Sequence, residues 1–332
     1  MIMTKRPVGR RMVLGAGIAA LGLVSPNIAR ADFPDRPIRL IVPYGAGGQT
    51  DIVSRLLAEA MSQRLGQQLL VDNRPGAASN IAAEMTARAP ADGYTIMVGS
   101  TGPLGGVNAA LYKNPGYDWQ TDFAPIGLFC TTPNVLLINT AEIPVKTLPE
   151  FIEFVKARPN QLNFASSGIG ASTHLSMELL LERAGLKMVH VPYRQSTQGM
   201  ADLLAGRVQA RTLGLPEAEP IKGDRRVRAL AVTSPGRSPN WPDVQAVAET
   251  LPGFIGVNEF GLAAPARTPP EIIARFNKAM NEALESPTLL AGFQRVGAET
   301  AKPNSPEDFS AYLRSGGAVW TGLIQRLGLS AE

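Results

Sequence analysis

Short runs of β-branched and aliphatic residues alternate along the chain with stretches whose apolar positions recur every three to four residues. Apolar runs of four to six residues bounded by Gly, Pro or Asn read as buried strands, and the longer period reads as helix. The pattern predicts strands at 38–42, 69–71, 95–99, 134–138, 162–165, 188–191, 208–212 and 229–233, with helices near 51–63, 81–88, 148–156, 175–183 and 199–204. In the first helix Ile52, Leu56, Leu57 and Met61 share one face. Strand and helix in alternation imply parallel α/β units. Two extended, proline-bounded stretches, 125–133 and 252–265, read as crossings between domains. Beyond them, 269–286 and 306–327 read as terminal helices with Pro-Glu starts, and Ser305, Pro306 and Glu307 stand at N-cap, N1 and N2 of the second. The expected architecture is α/β with two domains, one made of 32–131 plus 252–332 and the other of 132–251. Two crossings leave a hinge and a cleft, a usual place for a small ligand.

The first thirty-one residues stand outside that pattern. Lys5, Arg6, Arg10 and Arg11 precede an apolar run from Met12 to Val24, and Ala29-Arg30-Ala31 fits a small-x-small cleavage site. Residues 1–31 therefore read as an export signal, which puts the mature protein in the periplasm. Arg10-Arg11 ahead of MVLG also resembles a twin-arginine signal, although Gly9 stands where Ser or Thr is usual. This segment holds five basic and no acidic residues, so the mature chain keeps 27 Lys and Arg against 28 Asp and Glu. The basic character belongs to the signal, and a nucleic-acid partner is not expected. Cys130, in the apolar run IGLFCTTP, has no second cysteine to pair with and reads as a core residue.

The chemistry-bearing stretches are three glycine- and hydroxyl-rich loops, each placed after a strand. PYGAGGQTD (43–51) leads into the first helix, SSGIGASTH (166–174) leads into another, and GSTGPLGG (99–106) follows the third strand. Glycines that turn amides inward at a helix N-terminus favour an anion, and in open α/β sheets ligands sit at such strand ends. Nucleotide motifs fail residue by residue: GxGxxG begun at Gly168 meets Thr173, begun at Gly45 it meets Thr50, and no loop continues as Gly-Lys-Ser/Thr. No GxSxG, HExxH or CxxC occurs. His190 in MVHVPY reads as a strand-end side chain. His174, in a first helical turn, could donate to a ligand or brace the loop.

At these residues the chain resembles a known family. FPDRPIRLIVPYGAGGQTDIVSRLLAEAM, APADGYTIMVGSTG, LNFASSGIGASTHLSMELL, VHVPYRQSTQGMADLLAGRVQA and FGLAAPARTPPEIIARFNKAMNEAL are similar, in order and spacing, to the solute receptors of tripartite tricarboxylate transporters, the Bug family. The resemblance covers essentially the whole mature chain. It implies a two-domain periplasmic-binding-protein fold of type II-like organisation that closes over a small carboxylated solute. It further implies no cofactor, metal or catalytic residue, a monomer, and transient contact with membrane transporter subunits. The ligand-binding candidates are Tyr44, Gly47, Gly48 and Thr50 from the first loop, and Ser166, Ser167, Gly168, Gly170, Ala171, Ser172, Thr173 and His174 from the second. Ser100 and Thr101 come from the third loop, and Tyr193, Leu213 and Gly214 from flanking turns. Where family members often carry Phe-Asp-Asn, this chain has Thr212, Leu213 and Gly214, which predicts an apolar far end to the site, suited to a group such as an aromatic ring. Asp51 reads as a helix-end stabiliser and Arg194 as a solvent-exposed loop cation. The competing class is a periplasmic α/β enzyme acting on a small carboxylate.

Overall fold

A computed structural model describes residues 1–2 and 33–331 of the protein. The export-signal expectation for 1–31 otherwise lies outside the described residues. Among the described residues no helix is long and apolar enough to cross a membrane.

In chain order the elements are β1 (Ile38–Val42), α1 (Gln49–Leu65), β2 (Leu69–Asn73), α2 (Asn80–Ala87), β3 (Thr95–Gly99), α3 (Thr101–Leu104), α4 (Val107–Leu111) and β4 (Phe123–Asn139). There follow α5 (Leu148–Lys156), β5 (Asn163–Ser166), α6 (Ser172–Ala184), β6 (Val189–Pro192), α7 (Ser196–Leu204), β7 (Ala210–Gly214), α8 (Leu215–Ala218) and β8 (Val227–Val232). The chain ends through β9 (Gln245–Ala246), β10 (Val257–Pro265), α9 (Pro270–Leu284), α10 (Pro287–Arg295), β11 (Glu299–Thr300) and α11 (Pro306–Leu327).

The helix boundaries have local causes. Val53, Leu57 and Met61 form the fully buried stripe of α1, with Ile52 and Leu56 flanking it, and Gly66 ends the helix in the left-handed region at φ 71°. Thr147 caps α5 through its hydroxyl. Ser305 and Asp308 form a reciprocal capping box at the start of α11, with Pro306 and Glu307 at N1 and N2.

The strands join in the order β2-β1-β3-β10-β4-β7-β5-β6, with β11, β8 and β9 attached at the side. The expected parallel units are present: β1 lies parallel to β2 and β3, and β5 parallel to β6 and β7. The two stretches read as crossings are themselves central strands, and both run antiparallel to their neighbours. One continuous strand, β4, takes in 125–133 together with the strand expected at 134–138. Its first part, up to Pro133, pairs with β10, and from Asn134 onward it pairs with β7 and β8. A single long strand thus serves two halves of one sheet, and the described residues from Phe33 onward form one compact unit.

Each half has its own apolar core. In the first, Leu57 and Met61 of α1, Phe276 of α9 and Phe293 of α10 cover β1, β3, β4 and β10, with Phe129 of β4 among them. In the second, Phe151, Phe164, Met177 and Phe254 pack around β4 and β5. A smaller cluster joins them: Leu175 of α6 packs with Val107, Leu111, Trp320, Leu323 and Ile324 of α4 and α11. Beside it Arg326 of α11 pairs with Glu182 of α6 at 2.9 Å.

Candidate functional site

The parallel strands β1, β5 and β6 each end in a loop that feeds a helix, α1, α6 and α7. A cavity of about 260 Å³ opens where these three helices begin, close to the lower end of the range for small-molecule sites, ~300–1,000 Å³. Its wall contains the first two residues of all three: Gln49 and Thr50 of α1, Ser172 and Thr173 of α6, Ser196 and Thr197 of α7. Amides at these positions have no acceptor within their own helix. Elsewhere in the fold such ends are closed by hydroxyl caps from Thr147 and Ser305. At the cavity the N-cap positions are Gly48, Ala171 and Gln195, and none supplies a side-chain cap. Three helix N-termini facing one small space suit an anion, although the first amide of α1 already donates to Glu217 of the protein itself.

The loops are braced from behind. Asp51 accepts from the Gly47 amide at 2.9 Å, from Asn73 at 3.0 Å and from Arg55 at 3.0 Å. Burial alone would raise its pKa, but hydrogen bonds from Arg55, Gly47 and Asn73 outweigh burial and hold the carboxyl below its ordinary value. It is a helix-end and loop stabiliser, and it does not line the cavity. In the second loop the Ser167 amide donates to Thr173 Oγ1 at 3.0 Å, and the Gly170 amide donates to His174 Nδ1 at 3.1 Å. Gly170 has φ 81°, and a Cβ there would stand 2.4 Å from Leu111 Cδ1, so both conformation and space require glycine.

The charged groups of the wall are Arg194, exposed in its loop, and Glu217 of α8. Glu217 reaches across to α1, where its Oε1 accepts from the Gln49 amide at 2.7 Å. Its Oε2 accepts from the Ser196 hydroxyl and lies 3.9 Å from Arg211 Nη2. Arg211, on β7, is fully buried and also donates to the Ser196 carbonyl at 2.7 Å. Burial pulls its guanidinium below the usual value, and the negative charge of Glu217 works against that pull. Tyr44, part-buried at the wall, has its phenol pushed up to about 12 by burial and by Tyr112, so it faces the cavity as a neutral donor.

Of the residues expected from sequence, Tyr44, Gly48, Thr50, Ser167, Ala171, Ser172 and Thr173 meet in this wall. Ser100, Thr101 and Gly170 instead border an adjoining void of about 20 Å³, which shares Tyr44, Ser172 and Asn258 with the main cavity. Their hydroxyls are engaged: Ser100 caps α3, and Thr101 donates to Glu259 at 3.2 Å. Gly47 and Gly168 lie in the loops outside the wall. Ser166 is buried and sits 2.6 Å from His190 Nε2, and Tyr193 donates to Asp202 at 2.7 Å. His174 is 2 % exposed, with Nδ1 occupied by the Gly170 amide and Nε2 3.5 Å from Glu178, so it braces the loop. Leu213 and Gly214 do not form an apolar far end. Leu213 is 1 % exposed in the core around Leu203, Leu215 and Trp241. The space beside Gly214 is filled by the Gln49 side chain, whose Oε1 accepts from Thr132 at 2.8 Å.

Sequence reasoning missed Gln49, Gln195, Ser196, Thr197, Glu217 and Asn258. The signal for Ser196 and Thr197 was the same as for the other two loops, a hydroxyl pair opening a helix. For Glu217 a buried arginine in an apolar strand, Arg211, was the available hint, since such a charge needs a partner. The Ser166–His190 contact is not a nucleophile and base in waiting. Burial, then the neighbouring His174, pushes His190 down to about 3, leaving it a poor proton acceptor, and Ser166 lies outside the cavity wall. Among the described residues no group of three or more His, Cys, Asp or Glu is placed to hold a metal ion.

Residues 53–329 match the model of the tripartite tricarboxylate transporter family receptor. A protein of the tcbD–tcbE intergenic region of Pseudomonas sp. strain P51 is 37 % identical over 329 residues, 98 % of this chain and 96 % of the relative. The structure of R. palustris Rpa4515 with adipate superposes with a TM-score of 0.85 at 34 % identity, over 90 % of this chain and 99 % of that one. That of the periplasmic binding protein BugD gives 0.84 at 32 % identity, over 90 % and 99 %.

Proposed function

The chain belongs to the tripartite tricarboxylate transporter receptor family, and from that premise we propose that it captures a small organic carboxylate in the cavity between the two halves of its sheet. It is a solute-binding receptor and not an enzyme. The observation that carries the reading is the convergence of the first turns of α1, α6 and α7, uncapped by their own side chains, on one cavity. A carboxylate there accepts from the amides and hydroxyls of Thr50, Ser172 and Thr173, with Tyr44 beside it. Each hydrogen bond to a charged acceptor contributes about 1.5–3 kcal/mol. Three or four of them, less the cost of ordering the solute, fit micromolar binding, about −8 kcal/mol.

In this reading residues 132–251 move as a second domain. The hinge lies where β4 changes partners at Pro133–Asn134, and where the chain returns at Gly256–Val257. Closure brings the α1 end onto the α6 and α7 ends, so the bound state is favoured by contacts that only the closed form makes. The receptor acts as a monomer in the periplasm after export by its N-terminal signal, and meets the membrane subunits of its transporter transiently.

The test uses the mature protein and a panel of carboxylic acids in a thermal-shift assay, followed by calorimetry and recovery of the ligand. Saturating ligand at a hundred times Kd stabilises by about 2.7 kcal/mol, and the acid is expected back unchanged. Turnover of a bound acid, or a panel in which none binds, would sink the reading.

A further inference from the structure

We propose that Glu217 is a built-in carboxylate that occupies part of the anion site, so that the receptor takes a solute with a single carboxylate and discriminates against dicarboxylates. The inference rests on the carboxylate reading above and adds a selection rule to it.

The α1 end already holds an anion supplied by the protein. Glu217 Oε1 accepts from the Gln49 amide at 2.7 Å, the first amide of that helix. Glu217 Oε2 accepts from the hydroxyl of Ser196, the first residue of α7. One carboxylate therefore engages two of the three helix ends, and leaves α6 and the second residue of α1 for the solute. The cation of the pair stands behind the wall: Arg211 is fully buried and does not line the cavity, whereas Glu217 does. The surface offered to the distal part of a solute is thus the negative side of an ion pair; the wall's other charge, Arg194, is exposed in its loop, where water weakens its field.

Two arguments keep Glu217 in place when solute enters. Its side chain is only 9 % exposed, and it is tied to Gln49 and Ser196. Swinging it out would leave the Arg211 guanidinium buried 3.9 Å from an empty position, and a buried charge stripped of its partner is strongly unfavourable. A cavity of about 260 Å³ is roughly 8 Å across, no more than a Debye length at physiological salt. A second solute carboxylate would face Glu217 with little screening wherever it lay. The far end of the solute is therefore selected by charge at Glu217, on the element that follows Leu213 and Gly214.

The experiment compares monoacids with diacids of equal carbon number, from four to eight carbons, by thermal shift and then calorimetry on the mature wild-type protein and on Glu217→Gln. Wild type is expected to bind hexanoate at least tenfold more tightly than adipate. In E217Q the positive Arg211 loses its counter-charge, and the hexanoate-to-adipate preference moves at least tenfold toward adipate. Adipate binding to wild type as tightly as hexanoate overturns the inference and leaves the receptor reading standing, as does an E217Q preference equal to that of wild type. A panel in which no acid of either kind binds wild type overturns both. The wild-type comparison needs no variant, so it decides even if E217Q fails to fold.

Discussion

Replacing Gly214 by alanine tests how the two halves meet behind the cavity. A Cβ at that position would stand 2.0 Å from Gln49 Oε1, 2.3 Å from Cδ and 3.0 Å from Cβ. Gly214 has φ −61°, so alanine brings no backbone strain and the conflict is steric alone. Gln49 is 7 % exposed and must turn away, giving up its bond from Thr132 at 2.8 Å. The lost hydrogen bond costs about 1 kcal/mol, and overpacking costs about 1–3 kcal/mol. Lower entropy of the unfolded chain returns about 0.4–1 kcal/mol. Gly214→Ala should therefore destabilise by about 1–3 kcal/mol, read as a lower urea midpoint at unchanged m. Carboxylate affinity should fall as well, because Gln49 opens α1 and its amide holds Glu217. The decisive control is Gln49→Ala, alone and combined. Removing Oε1 and Cδ leaves only the 3.0 Å Cβ contact, so the double variant should recover at least 1 kcal/mol relative to additivity. Additive losses, or a G214A protein as stable as wild type, would refute the packing argument.

Burial pushes the Glu259 carboxyl up to about 7, against smaller lowering contributions from its own backbone and from the Thr101 hydroxyl. Its folded value lies above the unfolded 4.5, so its stability contribution is full below 4.5 and is lost as pH rises through 7. The total is about 3 kcal/mol. Urea titrations from pH 5 to 8.5 should show that decline in wild type and its removal in Glu259→Gln; equal slopes would contradict it. His190 is displaced the other way, to about 3, so its contribution is present above 6.5 and is lost as pH falls toward 3. Its ring carbon-bound proton should hold one NMR shift from pH 5 to 8, and a titration near 6.5 would contradict the part-buried His190–Ser166 contact. Cys130 is fully buried and its thiol is raised well above 9 by burial. A chromogenic disulfide reagent should therefore label it only on unfolding, and rapid labelling of the native protein would show the β4 core to be open.

What the chain declares in sequence follows from how local each cause is. The helix over Leu148–Lys156 and the one over Pro306–Leu327 are written in caps and apolar spacing within a few residues, and those ranges are legible. The loops are legible as anion-friendly because Gly, Ser and Thr at a strand end have local conformational reasons to be there. Strand direction is another matter: a buried apolar run carries no mark of parallel or antiparallel pairing. The segment 125–133 therefore reads as a crossing when it is half of the long β4. Gly214 illustrates the limit most plainly. An absent side chain in sequence leaves room for something, and only the fold reveals that Gln49, distant in the chain, fills it. Glu217 was hidden for the same reason, since its partners Gln49, Ser196 and Arg211 come from three separate elements.

Holding an anion without a buried cation in the cavity wall has a consequence for a receptor that must let go. A lysine or arginine buried against the solute would strengthen the bound state, and its loss of partner on release would be expensive. Here Arg194 lines the cavity but is exposed, and the buried cation behind the wall, Arg211, is already satisfied by Glu217, so solute departure strips no buried charge. What faces the solute is a set of amides and hydroxyls that water can replace as the cleft opens. On the proposed reading affinity is set by the contacts the solute makes at once with the α1 and α6 ends, from opposite halves, and these are lost as the halves separate. Release is thereby coupled to opening of the cleft, with no chemical step required. The same arrangement ties selectivity to stability at Glu217: altering that one side chain on α8 changes the charge of the wall, but it also removes the partner of the buried Arg211.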